Sequence, residues 1–76
     1  MYKLFYRSFL GFDYPLLEYG AIKSRDDALK LAVDLNNKRE TGFSVDLVDG
    51  TKDYCGYYVL EPNGNRVMFA KIRKGE

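Results

Sequence analysis

The clearest pattern in the chain is helical and covers the segment from about Arg25 to Arg39. Its apolar residues recur every three or four positions, which is the spacing of one face of a helix: Ala28, Leu31, Ala32 and Leu35, with Leu29 and Val33 beside them. Ser24 and Asp27 have the spacing of a capping box, which satisfies backbone N–H groups at a helix start. We expect Gly42 to end the helix. The pattern predicts an amphipathic helix that packs on a sheet.

A strand pattern follows the helix, because apolar residues alternate with polar ones at Phe43, Val45 and Leu47. An Asp-Gly pair at Asp49 and a Pro-Asn-Gly triplet at Pro62 are turn signals. They predict a meander of three strands, over residues 43–47, 54–60 and 66–73.

Two further strands are expected before the helix. The segment 2–10 is rich in aromatic residues and reads as a strand, segment 11–15 as a connection, and segment 16–21 as a weaker strand. The predicted fold is a two-layer α+β domain: a single helix packed on a mostly antiparallel five-stranded sheet, in the order β-β-α-β-β-β.

Composition limits what such a domain contains. Seventy-six residues form one domain, residues 1–76, with a thin core. One cysteine and no histidine exclude an internal disulfide and a Cys/His zinc site within the chain. No stretch has the roughly 18 apolar residues of a membrane span, and the first ten residues do not resemble a signal peptide. We therefore expect a cytoplasmic protein that does not contact a membrane.

A single helix is too narrow to cover five strands, since a helix is about 10–12 Å wide and five strands span about 20 Å. Apolar residues nevertheless lie on both faces of several strands. If Leu4 and Tyr6 face the helix, residues at the alternate positions face away from it. Met68 is likewise expected to face the helix, with Val67 pointing out. This outward face and two tyrosines give the expected contact residues: Lys3, Phe5, Arg7, Phe9, Tyr14, Tyr57, Phe69, Lys71 and Arg73.

The charges support this face without identifying its partner. Residues 1–10 carry two basic and no acidic side chains, and residues 66–76 carry four basic and one acidic, whereas residues 11–65 carry six basic and ten acidic. Aromatic rings beside cations suit a protein surface, and they also suit a nucleic-acid strand. Alternatively, the sheet curls around the helix, the rings are core residues, and the cations solvate an edge strand. Self-association as a homodimer is another way to cover the rings.

The residues that catalysis requires are scarce. Without histidine, Ser-His and Cys-His mechanisms are excluded. Cys55 lies within a predicted strand with no flanking cation, which favours an inert packed thiol. Asp46, Asp49 and Asp53 do not have the spacing of a calcium loop, and no phosphate-binding glycine motif is present. We expect no enzymatic activity, cofactor or metal.

In its size and element order the chain resembles some small phage-encoded anti-CRISPR proteins, which block a defence complex by occupying its surface. The resemblance implies a stoichiometric inhibitor or regulator that binds another protein or a protein–nucleic acid complex, and it covers no motif. The alternative is a nucleic-acid-binding regulator that uses the basic terminal strands and their exposed aromatic residues.

Overall fold

The computed structural model describes residues 1–69 and has one helix packed on a five-stranded antiparallel sheet. The element order is β-β-α-β-β-β, so the predicted fold class is confirmed. Its elements are β1 (Lys3–Arg7), β2 (Asp13–Pro15), a 3-10 helix (Leu17–Tyr19), α1 (Arg25–Arg39), β3 (Phe43–Asp46), β4 (Lys52–Leu60) and β5 (Arg66–Met68).

The helix has the predicted bounds. The Ser24 hydroxyl oxygen accepts a hydrogen bond from the backbone N–H of Asp27 at 3.3 Å, which caps the first turn. The last turn ends at Glu40, whose φ of 54° is left-handed. Gly42 also has a positive φ, but it lies two residues later and leads the chain into β3. The expectation that Gly42 ends the helix is therefore wrong, because a non-glycine residue takes the left-handed position.

Strand β4 is the centre of the sheet. It pairs with β1 along one edge and with β3 and β5 along the other, and the order of the main path is β2-β1-β4-β3. Strand β3 pairs with residues 52–55 of β4 and strand β5 with residues 58–60. The two partners on this edge thus lie in series, with a gap between them opposite residues 56 and 57.

A side chain from the helix fills that gap. Asn36 is 1% exposed, and its Oδ1 accepts from the backbone N–H of Tyr57 at 2.8 Å while its Nδ2 donates to the Tyr57 carbonyl at 3.1 Å. Nδ2 also donates to the Tyr54 hydroxyl at 3.1 Å, and Oδ1 also accepts from Thr41 Oγ1 at 3.0 Å. The oxygen and the nitrogen of the Asn36 side-chain amide each make two hydrogen bonds. Asn36 therefore takes the place of a strand residue in the ladder of β4.

Two glycines allow the backbone to come this close. Gly56 has a φ of 148°, and a Cβ at this position would lie 2.5 Å from the backbone nitrogen of Gly42 and 2.8 Å from Asn36 Oδ1. A Cβ on Gly42 would lie 2.9 Å from Asn36 Cγ. Contacts this short are excluded for any side chain, so the junction of α1, β3 and β4 requires glycine at both positions.

The core lies between α1, β1 and β4. Its buried residues are Leu4, Ala28, Ala32, Tyr57 and Val59. The helix contributes alanines to this centre, which lets it lie close to β4. The larger helix residues Leu29, Leu31 and Leu35 pack around the rim, while Val33 is exposed.

Two strand predictions are wrong. The second strand is Asp13–Pro15 rather than residues 16–21, where the chain forms the 3-10 helix. The faces of β5 are also reversed: Val67 pairs with the core residue Val59 and packs on the core, whereas Met68 pairs with Tyr58 on the other face. A register shift of one residue moves every side chain of a strand to the opposite face. The predicted part of this strand beyond residue 69 lies outside the described residues.

Candidate functional site

Strands β1 and β2 form a hairpin whose loop is Ser8-Phe9-Leu10-Gly11-Phe12. The Ser8 N–H donates to the Phe12 carbonyl at 2.9 Å, and the Phe12 N–H donates to Ser8 Oγ at 3.2 Å. Gly11 donates to the Ser8 carbonyl at 3.0 Å and has a φ of 89°, which allows the tight reversal. The loop is thus closed by three hydrogen bonds around Ser8.

Large apolar side chains project from this hairpin into solvent. Phe9 is 65% exposed, Leu10 78%, Phe12 59% and Tyr14 52%. We call these four residues the hairpin surface. Single exposed apolar residues are common on proteins, but a group of four within six consecutive positions is typical of an interaction site.

An arginine with two acidic partners holds the base of the hairpin. Arg7 Nε and Nη2 donate to the two carboxylate oxygens of Asp13 at 2.7 and 3.1 Å, and Nη1 donates to Asp53 Oδ1 at 2.9 Å. The Arg7 side chain is 12% exposed. Its hydrogen bonds hold the pKa of Asp13 below the usual range and raise the pKa of Arg7 itself. This contact, which we call the Arg7 clamp, ties β1, β2 and β4 together.

The sheet face opposite the helix is closed by its own side chains. Tyr58 at its centre is 2% exposed. The ring of Phe5 stacks on the Tyr58 ring with centroids 5.5 Å apart, and the guanidinium groups of Arg7 and Arg66 lie 5.7 and 5.9 Å from the Tyr58 centroid. Burial raises the pKa of the Tyr58 hydroxyl. This face is therefore a packed aromatic and cationic cluster, not an open platform of rings.

The expected contact residues fall into separate environments. Lys3, Phe9 and Tyr14 are exposed, whereas Phe5 and Arg7 are half-buried in the contacts just described. Tyr57 and Phe69 face the helix: Tyr57 is a core residue and Phe69 packs against the core. The expectation that Phe69 points outward is wrong for the same reason as for Val67. Lys71 and Arg73 lie outside the described residues.

The structure adds Leu10 and Phe12 to the expected set. Both lie in a segment that the sequence pattern assigned to the end of a strand and a connection. The missed signal was local: Ser-Phe-Leu-Gly-Phe has a glycine suited to a hairpin loop and bulky apolar residues where loop positions are usually polar.

A groove lies beside the hairpin, around Lys3. The chain leaves the edge of β1 after Leu16, whose N–H donates to the Leu4 carbonyl, and returns at Ile22, which pairs with Tyr2. Two depressions of about 280 and 460 Å³ flank this excursion. Both are lined by Lys3 and Ala21, and the other walls are mostly apolar. We call the two depressions together the Lys3 groove.

The lone thiol lies apart from both surfaces. Cys55 is buried in β4, and desolvation raises the pKa of its thiol. Burial and a raised pKa agree with the expectation of a packed, unreactive cysteine. Residues 1–69 contain no group of three or more Cys, Asp or Glu side chains placed to hold a metal ion, and no helix among them is long and apolar enough to cross a membrane.

Comparison of the chain with protein-family models, with curated proteins and with solved structures finds no match.

Proposed function

We propose that the protein is a non-enzymatic binding module that acts stoichiometrically on another protein, as an inhibitor or regulator, through the hairpin surface. The observation that carries the proposal is the exposure of Phe9, Leu10, Phe12 and Tyr14 on a hairpin whose base is fixed by the Arg7 clamp. Aromatic residues dominate the binding energy of many protein interfaces, because their rings bury a large area with few rotatable bonds.

The rigidity of the hairpin supports this role. Binding a flexible loop costs conformational entropy for each residue that becomes ordered. Here Ser8 closes the loop with backbone and side-chain hydrogen bonds, and Arg7 joins the hairpin to β4 through Asp53. A partner would therefore meet a preformed apolar surface.

The chemistry of the hairpin favours protein over nucleic acid. Residues 8–12 carry no charge, and the guanidinium group of Arg7 is engaged by two carboxylates. Binding to nucleic acid depends on free cations that contact phosphates. The nucleic-acid alternative relied on the basic terminal strands. Of their residues, the rings of Phe5 and Phe69 are packed and Arg7 is paired with carboxylates. Lys3 and Phe9 are exposed, and Lys71 and Arg73 lie outside the described residues.

The edge of β2 favours contact through side chains rather than addition of a strand. Phe12 and Leu16 bond to β1, so Asp13 and Pro15 present their backbone groups to the outer edge. Proline has no N–H, so on the outer edge of this three-residue strand the backbone N–H donor is that of Asp13. Short edges with proline resist pairing with another chain.

A particular form of this role is inhibition of a phage-defence complex, as anti-CRISPR proteins perform it. Its support is the small size of the chain and its confirmed element order. Such a protein would act in the cytoplasm. If the chain has this role, its expression in a bacterium whose CRISPR system targets a phage should restore plaque formation by that phage.

The test of the binding surface is capture of the partner by variants of the hairpin. The tagged chain is used to isolate partners from its native host, and the interaction is then reconstituted with the purified partner. We expect Phe9→Ala with Phe12→Ala to lower the affinity at least about 100-fold, as loss of two hot-spot residues does. The exposed side chains make little intramolecular contact, so the thermal stability should change little.

Val48→Ala is the matched control, because Val48 is an exposed apolar residue in the turn between β3 and β4. It should leave the affinity unchanged. Equal binding by the double variant and the wild type would refute the proposal. So would an affinity that falls steeply between about 50 and 200 mM salt and is insensitive to the double variant, which is the behaviour of phosphate binding. If the captured partner is a second copy, the molar mass in solution should change from dimer to monomer in the double variant.

A further inference from the structure

We infer that the Lys3 groove binds a segment of the partner in which a bulky apolar side chain lies directly beside a carboxylate. This inference rests on the proposed role in protein binding and specifies the chemistry that a second contact would recognise. It uses residues outside the hairpin surface.

The shape of the groove suits one side chain. The depression next to β2 has a volume of about 280 Å³ and is walled by Phe5, Pro15, Leu16 and Leu17. Ligand pockets for drug-sized molecules begin at roughly 300 Å³, so this depression is suited to a single aromatic or branched aliphatic group. Leu17 is largely exposed at its rim and would be covered by an occupant.

Lys3 is the one basic side chain among the residues that line the groove. Lys3 forms no ion pair with any residue in the range 1–69. The acidic residue nearest in the wall, Glu61, accepts a hydrogen bond from Arg25 Nε at 2.8 Å, so its charge is already balanced. A mostly apolar cleft with an unpaired lysine side chain is complementary to an apolar group that carries a negative charge.

The position of Lys3 requires the apolar side chain and the carboxylate of the occupant to be close to each other. Lys3 lines both depressions, so an occupant of either depression lies beside this residue. A ligand whose ring fills the 280 Å³ depression would therefore bring an adjacent carboxylate to Lys3. A bulky residue at a chain terminus, or a bulky residue followed by Asp or Glu, has this arrangement.

A titration with small probes tests the inference on the full chain. N-acetyl-L-phenylalanine carries the ring and the carboxylate, its amide lacks the charge, and N-acetylglycine lacks the ring. Chemical shifts of the backbone amides are followed by NMR. We expect the acid to bind in the millimolar range and to shift the amides of residues 16–22. The amide should bind about twofold to fivefold more weakly, which is the range for an exposed ion pair, and N-acetylglycine should bind more weakly still.

Two variants separate the contributions of charge and shape. Lys3→Gln should abolish the preference for the acid over the amide, whereas Lys30→Gln, an exposed lysine on the helix, should retain it. Ala21→Leu narrows both depressions and should lower the affinity for the acid and for the amide by a similar factor. Shifts confined to other parts of the chain, equal affinity for acid and amide, or a preference that persists in Lys3→Gln would each overturn the inference.

The two proposals fail separately. If the double hairpin variant loses the partner but the probes show no preference for the acid, the groove inference is wrong and the binding role stands. If the probes behave as expected but the hairpin variant keeps its partner, the proposed hairpin surface is wrong and the groove still binds a carboxylate. In the reconstituted complex, Lys3→Gln should lower the affinity for the partner by the same factor, roughly twofold to fivefold.

Discussion

Replacing Asn36 with alanine should remove a large part of the stability of the fold. Asn36 makes four side-chain hydrogen bonds while being almost fully buried. In Asn36→Ala the backbone N–H of Tyr57 loses its acceptor, and an unsatisfied buried donor costs about 1–3 kcal/mol. The Tyr57 carbonyl keeps its bond from the Tyr54 hydroxyl at 2.8 Å.

Further costs come from the neighbours and from lost packing. Thr41 and Tyr54 each lose one partner, at about 0.5–1.5 kcal/mol each, and the missing amide leaves a small void. Alanine returns roughly 0.5 kcal/mol through its helix propensity. The net loss is about 3–5 kcal/mol, against a total stability of about 4–11 kcal/mol for a chain of this length. The variant should therefore be marginally folded or unfolded.

Urea denaturation followed by far-UV circular dichroism measures this change, because the chain contains no tryptophan. Lys30→Ala is the control, since Lys30 is exposed on the same helix and the change should cost less than about 0.5 kcal/mol. Hydrogen exchange gives a second measurement, in which the Tyr57 amide should be among the slowest in the wild type. A loss below about 1 kcal/mol in Asn36→Ala, or rapid exchange of Tyr57 in the wild type, would refute the reasoning.

Three other outcomes are expected. Gly56→Ala places a Cβ 2.5 Å from the Gly42 nitrogen and should destabilise the fold by several kcal/mol in urea denaturation; a change below about 1 kcal/mol would contradict the close approach. Glu40→Gly should stabilise the fold by about 1 kcal/mol, because Glu40 is left-handed at the helix end; an unchanged midpoint would be contrary evidence. The pKa of Asp13 is lowered by Arg7, so its stabilising contribution is present above the unfolded pKa of about 4 and is lost as the pH falls through the folded pKa. Asp13→Asn should flatten the acid limb of stability against pH, and an unaltered limb would count against the clamp.

Sequence pattern predicted the elements whose signals are local. The helix has a capping serine and a regular apolar stripe, and both turns after β3 and β4 have glycine at their left-handed positions. The orientation of β1 also followed from alternation, because Leu4 faces the core and Phe5 and Arg7 lie on the other face. In each case neighbours in sequence determine the conformation.

The remaining errors occur where alternation gives no information. Residues 54–59 of β4 are buried on both faces, so no period distinguished the core position of Tyr57. Strand β5 has apolar residues on both of its faces, so alternation does not show which face is buried. Its register is set by the pairing of Val67 with Val59, which cannot be seen in the sequence pattern. Strand β2 has only three residues, and its position is set by its pairing with β1. That pairing depends on the geometry of the hairpin loop, which the alternation of residues does not show. Of the four residues of the hairpin surface, the sequence pattern indicated Phe9 and Tyr14 but not Leu10 and Phe12.

The amide of Asn36 also bears on how the protein folds. A side chain from the helix occupies a rung of the ladder in β4, 21 positions further along the chain. The sheet therefore cannot complete its hydrogen bonds on this edge before the helix has docked, and the helix cannot satisfy Asn36 before the strand has formed. Helix docking and strand pairing should become a single cooperative step, without a stable intermediate that contains the sheet alone.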